Sequence, residues 1–513
     1  MTTEKKKEET QAAAVEKEAA MPVFKEVYPV VEPHAYVAIA QDNVTGQLKY
    51  VVMEPTLFEN EQKMLRKITS ILYDELDVSV KELTAEKAED ILKESVKRIV
   101  KDYKIKMDEN TLQKILYYMV RDFIGYGKID VMMKDHMIED ISCDGPNIPV
   151  YVWHREYESL PSNIVFDPEE LNNFVVRLAY RCGKHISVAQ PIMDGTLPDG
   201  SRINATYGTE VSRKGSTFTI RRFRADPLTI TDLIKFKTIS VDVAAYLWLA
   251  IENRSSLLVA GGVASGKTTM LNCTSMFIRP ELKIVTIEDT AELQLPHQNW
   301  ISLVSRTGFG LREAEIALFD LLKAAMRQRP DYIIVGEIRG AEAYTLFQAL
   351  ATGHGVQSTI HAEDALAVVE RLESPPMNIP RALIGLIDII MVQARVRIGE
   401  KSARRTITLT EVKGYTPGVG LELQDVFRWN PREDKHEMVI KEFEESAVMR
   451  KVIEKRGFSY KEILEEIEKR KVILEWMVKK NIRRYTEVGN VIREYYTSPE
   501  NVYIRAKVEL SSS

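Results

Sequence analysis

A glycine-rich loop between an apolar strand and a helix limits most strongly what this chain can fold into. Residues 256–260 form the short apolar run typical of a buried strand, and Gly-Gly-Val-Ala-Ser-Gly-Lys-Thr follows at 261–268. Glycines let successive backbone N–H groups converge on phosphate oxygens, and the start of the next helix adds a favourable potential. The pattern Gly-x-x-x-x-Gly-Lys-Thr in this context therefore predicts a phosphate-binding loop rather than a chance glycine turn.

The loop also predicts which side chains hold ATP and Mg²⁺. Lys267 is expected to reach the β- and γ-phosphates as a point charge, and Thr268 to give a hydroxyl ligand to Mg²⁺. The predicted nucleotide-binding residues are Gly261, Gly262, Val263, Ala264, Ser265, Gly266, Lys267, Thr268 and Thr269.

Apolar strands alternate with helices in the second half of the chain, which predicts a parallel sheet covered on both faces. Further buried strands at 283–287 and 332–335 each run into acidic residues. In open sheets of this kind, ligands bind beyond the carboxyl ends of the strands. The expected fold class is α/β: a P-loop C-terminal domain and an α+β N-terminal domain, which is preceded by a helical region.

A chain of 513 residues is too long for one hydrophobic core. We expect a disordered charged arm at 1–20, a hairpin and helical region at 21–105, an α+β N-domain at 106–225, a linker at 226–232, the P-loop domain at 233–440 and a helical extension at 441–513. Local patterns predict a hairpin from 35–40 and 48–53, capping boxes at Thr56 with Glu59 and at Ser459 with Glu462, and helices from near Asp108 and Pro168.

Two acidic residues follow buried strands and are candidates for catalysis. Glu288 can accept a proton from the attacking water, or it can be an ordinary acidic helix cap. Glu337 ends a segment that resembles a Walker B strand, with Glu in place of the usual Asp, and can bind Mg²⁺ or hold the water. We assign Glu288 as the base and Glu337 to metal and water; which of the two is the stronger base stays open.

His354 and His361 lie seven residues apart around a strand-like segment. Zinc ligation is disfavoured because no matching Cys or further His lies nearby. Each histidine is either a buried, hydrogen-bonded side chain or, beside a phosphate site, a sensor of the γ-phosphate. We favour the sensor for both.

Arginines cluster just before the predicted linker. Such a row is usually a solvated face, but in an oligomeric ATPase an arginine can cross a subunit boundary and neutralise charge in the transition state, worth roughly 10³ or more in rate. The cluster is Arg202, Arg213, Arg221, Arg222 and Arg224. The candidates for this role are Arg221, Arg222 and Arg202.

In this order, the motifs resemble those of the secretion ATPase superfamily, which drives type II and type IV secretion and type IV pili. The phosphate loop, an Asp box at 286–289, a Gly-Glu Walker B segment at 336–339, a His box at 352–361 and an N-domain signature at 194–205 carry this likeness. The segments 138–146 and 374–381 are most similar to the archaeal branch, and within it to the motor ATPases of the archaeal flagellum (archaellum). Archaeal pilus-assembly and secretion ATPases share much of both segments.

The resemblance implies a homo-hexameric ring whose subunits each have an N-domain hinged to a RecA-like C-domain, with ATP at the hinge. Domain movements would push on a polytopic membrane platform protein, with other cytoplasmic motor subunits as partners. The implied function is ATP hydrolysis coupled to assembly or rotation of an archaellum. Type IV pilus assembly and type II secretion are the alternatives within the superfamily.

Charge and hydropathy bear on two other classes of function. The formal net charge of -5 and the lack of an aromatic-basic stretch argue against a RecA-like nucleic-acid translocase. A scaffold that binds ATP without turnover is disfavoured by the acidic residues and histidines above. The most apolar run, 382–392, is well short of the ~20 residues of a membrane span, so we expect a cytoplasmic protein that reaches the inner face of the cytoplasmic membrane through partners.

Overall fold

The computed structural model describes residues 23–43, 45–75, 85–223, 226–306, 315–399 and 401–511. The chain divides into two compact units, unit 1 at Met1–Phe223 and unit 2 at Arg224–Ser513. The charged arm predicted at 1–20 lies outside the described residues.

Unit 1 is built on a nine-stranded sheet with helices against it. Its strands are β1 (Val23–Val31), β2 (Ala35–Gln41), β3 (Leu48–Met53), β4 (Ile138–Cys143), β5 (Pro149–His154), β6 (Glu158–Val165), β7 (Ile192–Thr196), β8 (Arg202–Thr206) and β9 (Thr217–Arg221). Its helices are α1 (Glu59–Glu75), α2 (Ala85–Asp102), α3 (Glu109–Phe123), α4 (Asp130–Lys134) and α5 (Pro168–Arg181). The strand order is β1-β2-β3-β6-β5-β4-β9-β8-β7.

Most local predictions for unit 1 are confirmed. Strands β2 and β3 pair antiparallel as the predicted hairpin, and the Asp108 carboxylate accepts a hydrogen bond from the backbone N–H of Thr111 at the start of α3. The capping box predicted at Thr56 and Glu59 is wrong, because α1 begins only at Glu59.

The carboxylate of Glu61 takes the capping role at this helix start. It accepts a 2.8 Å hydrogen bond from the backbone N–H of Phe58 and pairs with Lys114 of α3. The start of α1 is thus capped by a local hydrogen bond further along the chain than predicted, and an ion pair with another helix holds the capping carboxylate.

Unit 2 contains the second nine-stranded sheet. Its strands are β10 (Leu257–Gly261), β11 (Ile284–Glu288), β12 (Trp300–Val304), β13 (Tyr332–Val335), β14 (Gly355–Ile360), β15 (Ile389–Ile398), β16 (Lys401–Thr416), β17 (Gly420–Asn430) and β18 (Lys435–Met438). The order is β12-β11-β13-β14-β10-β15-β16-β17-β18. Neighbours from β12 to β15 pair in parallel, as predicted, whereas β15 to β18 form an antiparallel extension that was not predicted.

The helices of unit 2 pack against this sheet, and the last of them come after it in the sequence. They are α6 (Ile230–Lys235), α7 (Val241–Glu252), α8 (Lys267–Ser275), α9 (Leu318–Met326), α10 (Glu342–Ala351), α11 (Ala365–Glu373), α12 (Arg381–Ile384), α13 (Ala447–Arg456), α14 (Tyr460–Lys479), α15 (Tyr485–Thr497) and α16 (Pro499–Ser511). The second half of the predicted linker, 226–232, is therefore helical, because Thr229 and Asp232 form a capping box that starts α6.

The C-terminal helices share one hydrophobic core with α7, α8 and the sheet. Helix α14 begins with the predicted capping box of Ser459 and Glu462. Trp248 of α7 stacks on Phe277 at 5.2 Å between ring centroids, and its indole N–H donates to the Tyr496 hydroxyl of α15. The extension is thus an integral part of unit 2.

Candidate active site

The backbone of the phosphate loop requires glycine at two positions. Gly266, where α8 begins, has a φ of 89°, a left-handed conformation that favours glycine. A Cβ on Gly261 would collide with the backbone oxygen of Gln393 on the neighbouring strand β15. Strand β10, which is fully buried, therefore places the start of the loop in close contact with strand β15.

Lys267 points into the loop. Its ammonium donates to the backbone oxygens of Gly261 at 3.0 Å and Gly262 at 2.8 Å, and it lies 3.3 Å from Nδ1 of His361. The side chains of Thr268 and Thr269 follow on the first turn of α8, where both are half-buried. The predicted phosphate-binding lysine thus lies within the phosphate loop, in contact with its backbone oxygens.

Glu288 is the last residue of β11 and is 3% exposed. Its Oε1 accepts hydrogen bonds from the backbone N–H groups of Glu292 and Leu293, both at 3.0 Å. Within the described ranges, no hydrogen bond reaches its Oε2. Burial raises the pKa of this carboxyl to about 7, against the lowering effect of the two backbone hydrogen bonds.

Gly336 explains how Glu288 comes to lie so close to the next strand. Its N–H donates to the Ile287 backbone oxygen at 2.9 Å, and a Cβ on Gly336 would lie 3.2 Å from Cγ of Glu288. The Gly-Glu pair therefore leaves room for the carboxylate of the neighbouring strand.

The side chain of Glu337, just after β13, is linked to the phosphate loop through His361. Its Oε2 accepts a 2.8 Å hydrogen bond from Nε of Arg339, and its Oε1 lies 2.9 Å from Nε2 of His361. In the part of the chain that is described, Oε1 makes no hydrogen bond despite this proximity. Lys267, His361 and Glu337 thus form a continuous chain of contacts across the carboxyl ends of β10, β14 and β13.

Only one of the two predicted histidines joins this site. His361 follows β14, level with Gly261, because Ala260 pairs with Ile360. His354 precedes the same strand of 6 residues, which at ~3.3 Å per residue puts it about 20 Å away. Its Nδ1 lies 3.0 Å from the Thr352 hydroxyl and 3.0 Å from the Ala349 backbone oxygen. The expectation that both histidines lie beside the phosphate loop is corrected for His354.

The three candidate arginines of unit 1 have different environments. Arg222 is directed inward and donates to the backbone oxygens of Asp135 and Ile138, and burial lowers its pKa. Arg221 and Arg202 lie opposite each other on β9 and β8, and both are exposed. Of the three, Arg222 is a structural residue of unit 1, which corrects its candidacy for contact with a neighbouring subunit.

Arg339 is a site residue to which the sequence prediction gave no role. Besides its bonds to Glu337 it lies 3.8 Å from Oδ2 of Asp289, and its hydrogen bonds with Glu337 raise its pKa. The available signal was an arginine two residues after the Walker B glutamate. That spacing alone does not indicate that the two side chains meet.

The donor set fits a nucleoside triphosphate with a divalent cation. Lys267 and the N–H groups of the loop suit phosphate oxygens, and the Thr268 hydroxyl suits a hard cation that prefers oxygen ligands. Buried carboxylate oxygens without a hydrogen bond are unusual in proteins, and Oε2 of Glu288 and Oε1 of Glu337 are two such atoms within the described residues. Both suit a water or a cation bound beside the phosphates.

Comparisons with known proteins identify the family of the chain. The family model described as "Type II/IV secretion system protein" matches residues 165–493. An uncharacterized protein of Methanocaldococcus jannaschii is 40% identical over 494 residues, which cover 92% of this chain and 88% of that protein. The conjugal transfer protein TrbB of Rhizobium radiobacter is 34% identical over 236 residues, 44% of this chain and 69% of its own length.

Among solved structures, the ATPase DotB of Legionella pneumophila is similar with a TM-score of 0.41 at 16% identity, covering 73% of this chain and 92% of its own. Of the helices in the described residues, none has the length and apolar character needed to cross a membrane. The family match spans most of the α/β unit and includes every motif of the site described above. The chain therefore belongs to the type II/IV secretion system protein family, the superfamily of secretion ATPases.

Proposed function

We propose that this chain hydrolyses ATP and uses the energy as a motor. The observation that carries the proposal is the contact chain from Lys267 through His361 to Glu337, with the buried Glu288 on the adjacent strand. A phosphate-binding lysine, a histidine in contact with it and two carboxylates are the groups that phosphoryl transfer to water requires.

Each group has a distinct task in this proposal. Lys267 binds the β- and γ-phosphates, and Thr268 and Glu337 hold Mg²⁺, which when bound neutralises charge on the phosphate oxygens. Glu288 orients the attacking water and accepts its proton, since its free Oε2 and raised pKa suit a base near neutral pH. His361 touches both Lys267 and Glu337, so it is placed to respond to the γ-phosphate.

We further propose that an arginine of a neighbouring subunit completes the site in a homo-hexamer. Arg221 and Arg202 remain candidates because they are exposed and share one face of the sheet of unit 1. Arg221 makes a 3.5 Å ion pair with Asp140 at 61% side-chain exposure. Such an exposed pair is weak, so the guanidinium can exchange it for a phosphate at little cost.

The enzymatic part is tested by phosphate release from ATP with Mg²⁺. We expect Lys267→Ala to lose ATP binding. Glu288→Gln, which removes the proposed base, and Glu337→Gln, which removes the proposed Mg²⁺ ligand, should bind ATP but lose turnover by about 10²-fold or more. Exchange of Glu465 for Gln, an exposed carboxylate of α14, is the matched control. Turnover retained in both Gln variants would contradict the roles proposed for the two carboxylates, and binding of ATP without turnover in the unaltered chain would leave only a nucleotide-binding scaffold.

For the biological output we propose assembly or rotation of an archaellum through a polytopic membrane platform protein. The likeness at 138–146 and 374–381 supports this narrower step, and the extensive match to an archaeal relative is compatible with it. Type IV pilus assembly and type II secretion are the alternatives. The chain would act in the cytoplasm, at the inner membrane face, with other motor subunits.

Lys267→Ala in the native host distinguishes these outputs when swimming, pili and secretion are scored separately. Loss of swimming alone supports the archaellum, whereas normal swimming with lost pili contradicts it. Addition of DNA to the purified ATPase is expected to leave hydrolysis unchanged; a marked stimulation would instead favour a nucleic-acid translocase.

A further inference from the structure

Unit 2 contains a groove that is lined by none of the residues proposed for ATP hydrolysis. It lies between α14 and the strands β17 and β18, and its volume is about 530 Å³, within the range of protein binding sites. We call it the α14 groove; along the helix it extends from Leu464 to Lys471. These two residues are seven positions apart, so the groove follows one face of α14 for two turns.

The floor of the α14 groove is apolar and closely packed. Phe427 of β17 is 2% exposed, and Ile467 of α14 is 5% exposed. The ring centroids of Phe427 and Phe443 are 6.3 Å apart, and the ring of Tyr246 on α7 lies 5.7 Å from the first and 6.0 Å from the second. Because these rings already pack against one another, a partner would find the floor preformed and would not have to order it.

Apolar side chains at the rim of the groove are exposed to solvent. Leu464 is 40% exposed and Met438 of β18 is 41% exposed, and Val439 beside it is 48% exposed. Exposed apolar groups that adjoin an apolar groove are typical of interaction surfaces, and methionine adapts its shape to a partner. Strand β18 has only 4 residues, and short edge strands discourage the addition of another strand. The recognition surface is therefore made of side chains, which suits the apolar face of a helix.

Acidic side chains outnumber basic ones around this apolar surface. Three carboxylates line the groove against one ammonium: Asp242, Glu465, Glu468 and Lys471. The Lys471 ammonium lies 2.8 Å from Asp242 and 3.6 Å from Glu468, so two carboxylates share it. Glu465 and Lys461 form a 3.7 Å ion pair in which both side chains are exposed, and such a pair is weak. The lining therefore has an excess of negative charge.

The surroundings of the groove add to this charge. Phe443 turns inward, whereas its neighbours in the chain are exposed: Glu442, Glu444 and Glu445, preceded by Lys441. His436 also lines the groove. Burial lowers its pKa, so the ring is neutral near pH 7 and offsets none of the negative charge. Complementary charge steers association and selects among partners, and here it favours a partner that carries Lys or Arg.

We propose that the α14 groove docks an amphipathic helix of a partner protein, whose apolar face enters the groove and whose Lys or Arg residues lie beside the acidic rim. Burial of large apolar side chains supplies most of the affinity, and the rim selects the charge of the partner. The groove and the phosphate loop share no residue, so the docking site can be tested independently of ATP hydrolysis.

Two synthetic helical peptides test the groove on the full chain by fluorescence anisotropy. Both carry leucines at the i, i+3, i+4 and i+7 spacing of one helix face; one has lysines beside this face, and the other has glutamates at the same places. We expect the lysine peptide to bind at least about 10-fold more tightly, and added salt to reduce the difference. Equal binding of the two peptides, or no binding of the lysine peptide, overturns the inference.

Two double variants assign the binding to the groove. The pair Leu464→Ser and Met438→Ser removes the exposed apolar rim, so the Kd of the lysine peptide should rise at least about 10-fold. The pair Glu465→Lys and Glu468→Lys reverses the charge of the rim, so the glutamate peptide should become the tighter ligand. If both double variants bind the lysine peptide as tightly as the wild type does, the inference is overturned, because the peptide then binds elsewhere on the acidic surface.

Ile504→Ser and Glu59→Lys are the matched controls, an exposed apolar residue of α16 and an exposed carboxylate of α1. Each should change the Kd of either peptide by less than about twofold. All substituted side chains are exposed, so the melting temperature should match that of the wild type in every variant. If light scattering shows self-association of the wild type that the Leu464→Ser, Met438→Ser variant has lost, the groove holds a second copy of this chain and the partner helix is rejected.

Discussion

At the scale of single residues, the burial of Glu288 decides its chemistry. The raised pKa of about 7 means that the carboxylate form, which alone can accept a proton, is lost as the pH falls through that value. We therefore expect kcat at saturating ATP to drop about tenfold per unit of pH below ~7, as measured by phosphate release. Burial lowers the pKa of His361 below its ordinary value, so a limb that titrates clearly below the range of Glu288 would implicate the histidine instead.

The burial of Glu288 also makes the stability of the fold depend on pH, and here the protonated form is the favourable one. The folded chain holds the Glu288 proton more tightly than the unfolded chain. The contribution of this proton to stability is therefore complete below the unfolded pKa of 4.5 and is lost as the pH rises to about 7. Glu288→Gln should raise the free energy of unfolding by about 3 kcal/mol at pH 8 and change it little at pH 4.5. Urea unfolding at both pH values measures this, with Glu465→Gln as the control; an equal gain at both would contradict the assigned cause.

Gly336 offers a test of close packing between two strands. The added methyl group of Gly336→Ala would lie 3.2 Å from Cγ of Glu288, and only a shift of a few tenths of an ångström can relieve this contact. Because small misplacements of a catalytic group are costly, we expect kcat to fall about tenfold while the Kd for ATP stays within twofold. Unchanged kcat would show that Glu288 does not need its present position.

At the scale of elements, the sequence predicts those whose signals are local. Strands β10, β11 and β13 are short apolar runs that end at chemical motifs, and α14 begins with a capping box, so each was predicted. The strands β16, β17 and β18 pair as consecutive antiparallel hairpins and are partly exposed, so they lack the continuous apolar run that marked the buried strands, and they were not predicted. The contact of Arg339 with Glu337 and the separation of His354 from the site were missed for another reason, because spacing in the sequence does not specify where a side chain points or at which end of a strand it lies.

Helix α14 supplies a test of one long-range interaction. Arg470 is 2% exposed and pairs with Glu252 of α7 and with Glu466. Removal of one partner from such a cluster leaves buried charge uncompensated, so Arg470→Met should cost about 3–5 kcal/mol of stability. Arg505→Met, which breaks the more exposed pair with Glu494, should cost under ~1 kcal/mol. Equal costs by urea unfolding would show that burial does not set the difference.

At the scale of the molecule, the C-terminal helices belong to the fold of unit 2. The sequence suggested an extension beyond the motif-bearing domain, because a helical pattern does not reveal which surface its apolar face covers. In the structure those faces cover Trp248 and Phe277. A chain that ends at Phe458 should therefore aggregate or lose its cooperative melting transition, while removal of residues 1–20 should leave the melting of unit 2 unchanged. A soluble, cooperatively folded truncation would show the helices to be dispensable.

The continuous sheet of unit 2 has a mechanical consequence. Its nine strands, from β12 beside the Asp box to β18 near the C-terminal helices, are joined edge to edge by backbone hydrogen bonds, and a close-packed core on that scale deforms little. In the proposed motor, little of the work from hydrolysis would be lost to sliding one strand past another. It would leave unit 2 as displacement of the whole sheet, so that even the most distant strand would move together with the phosphate loop.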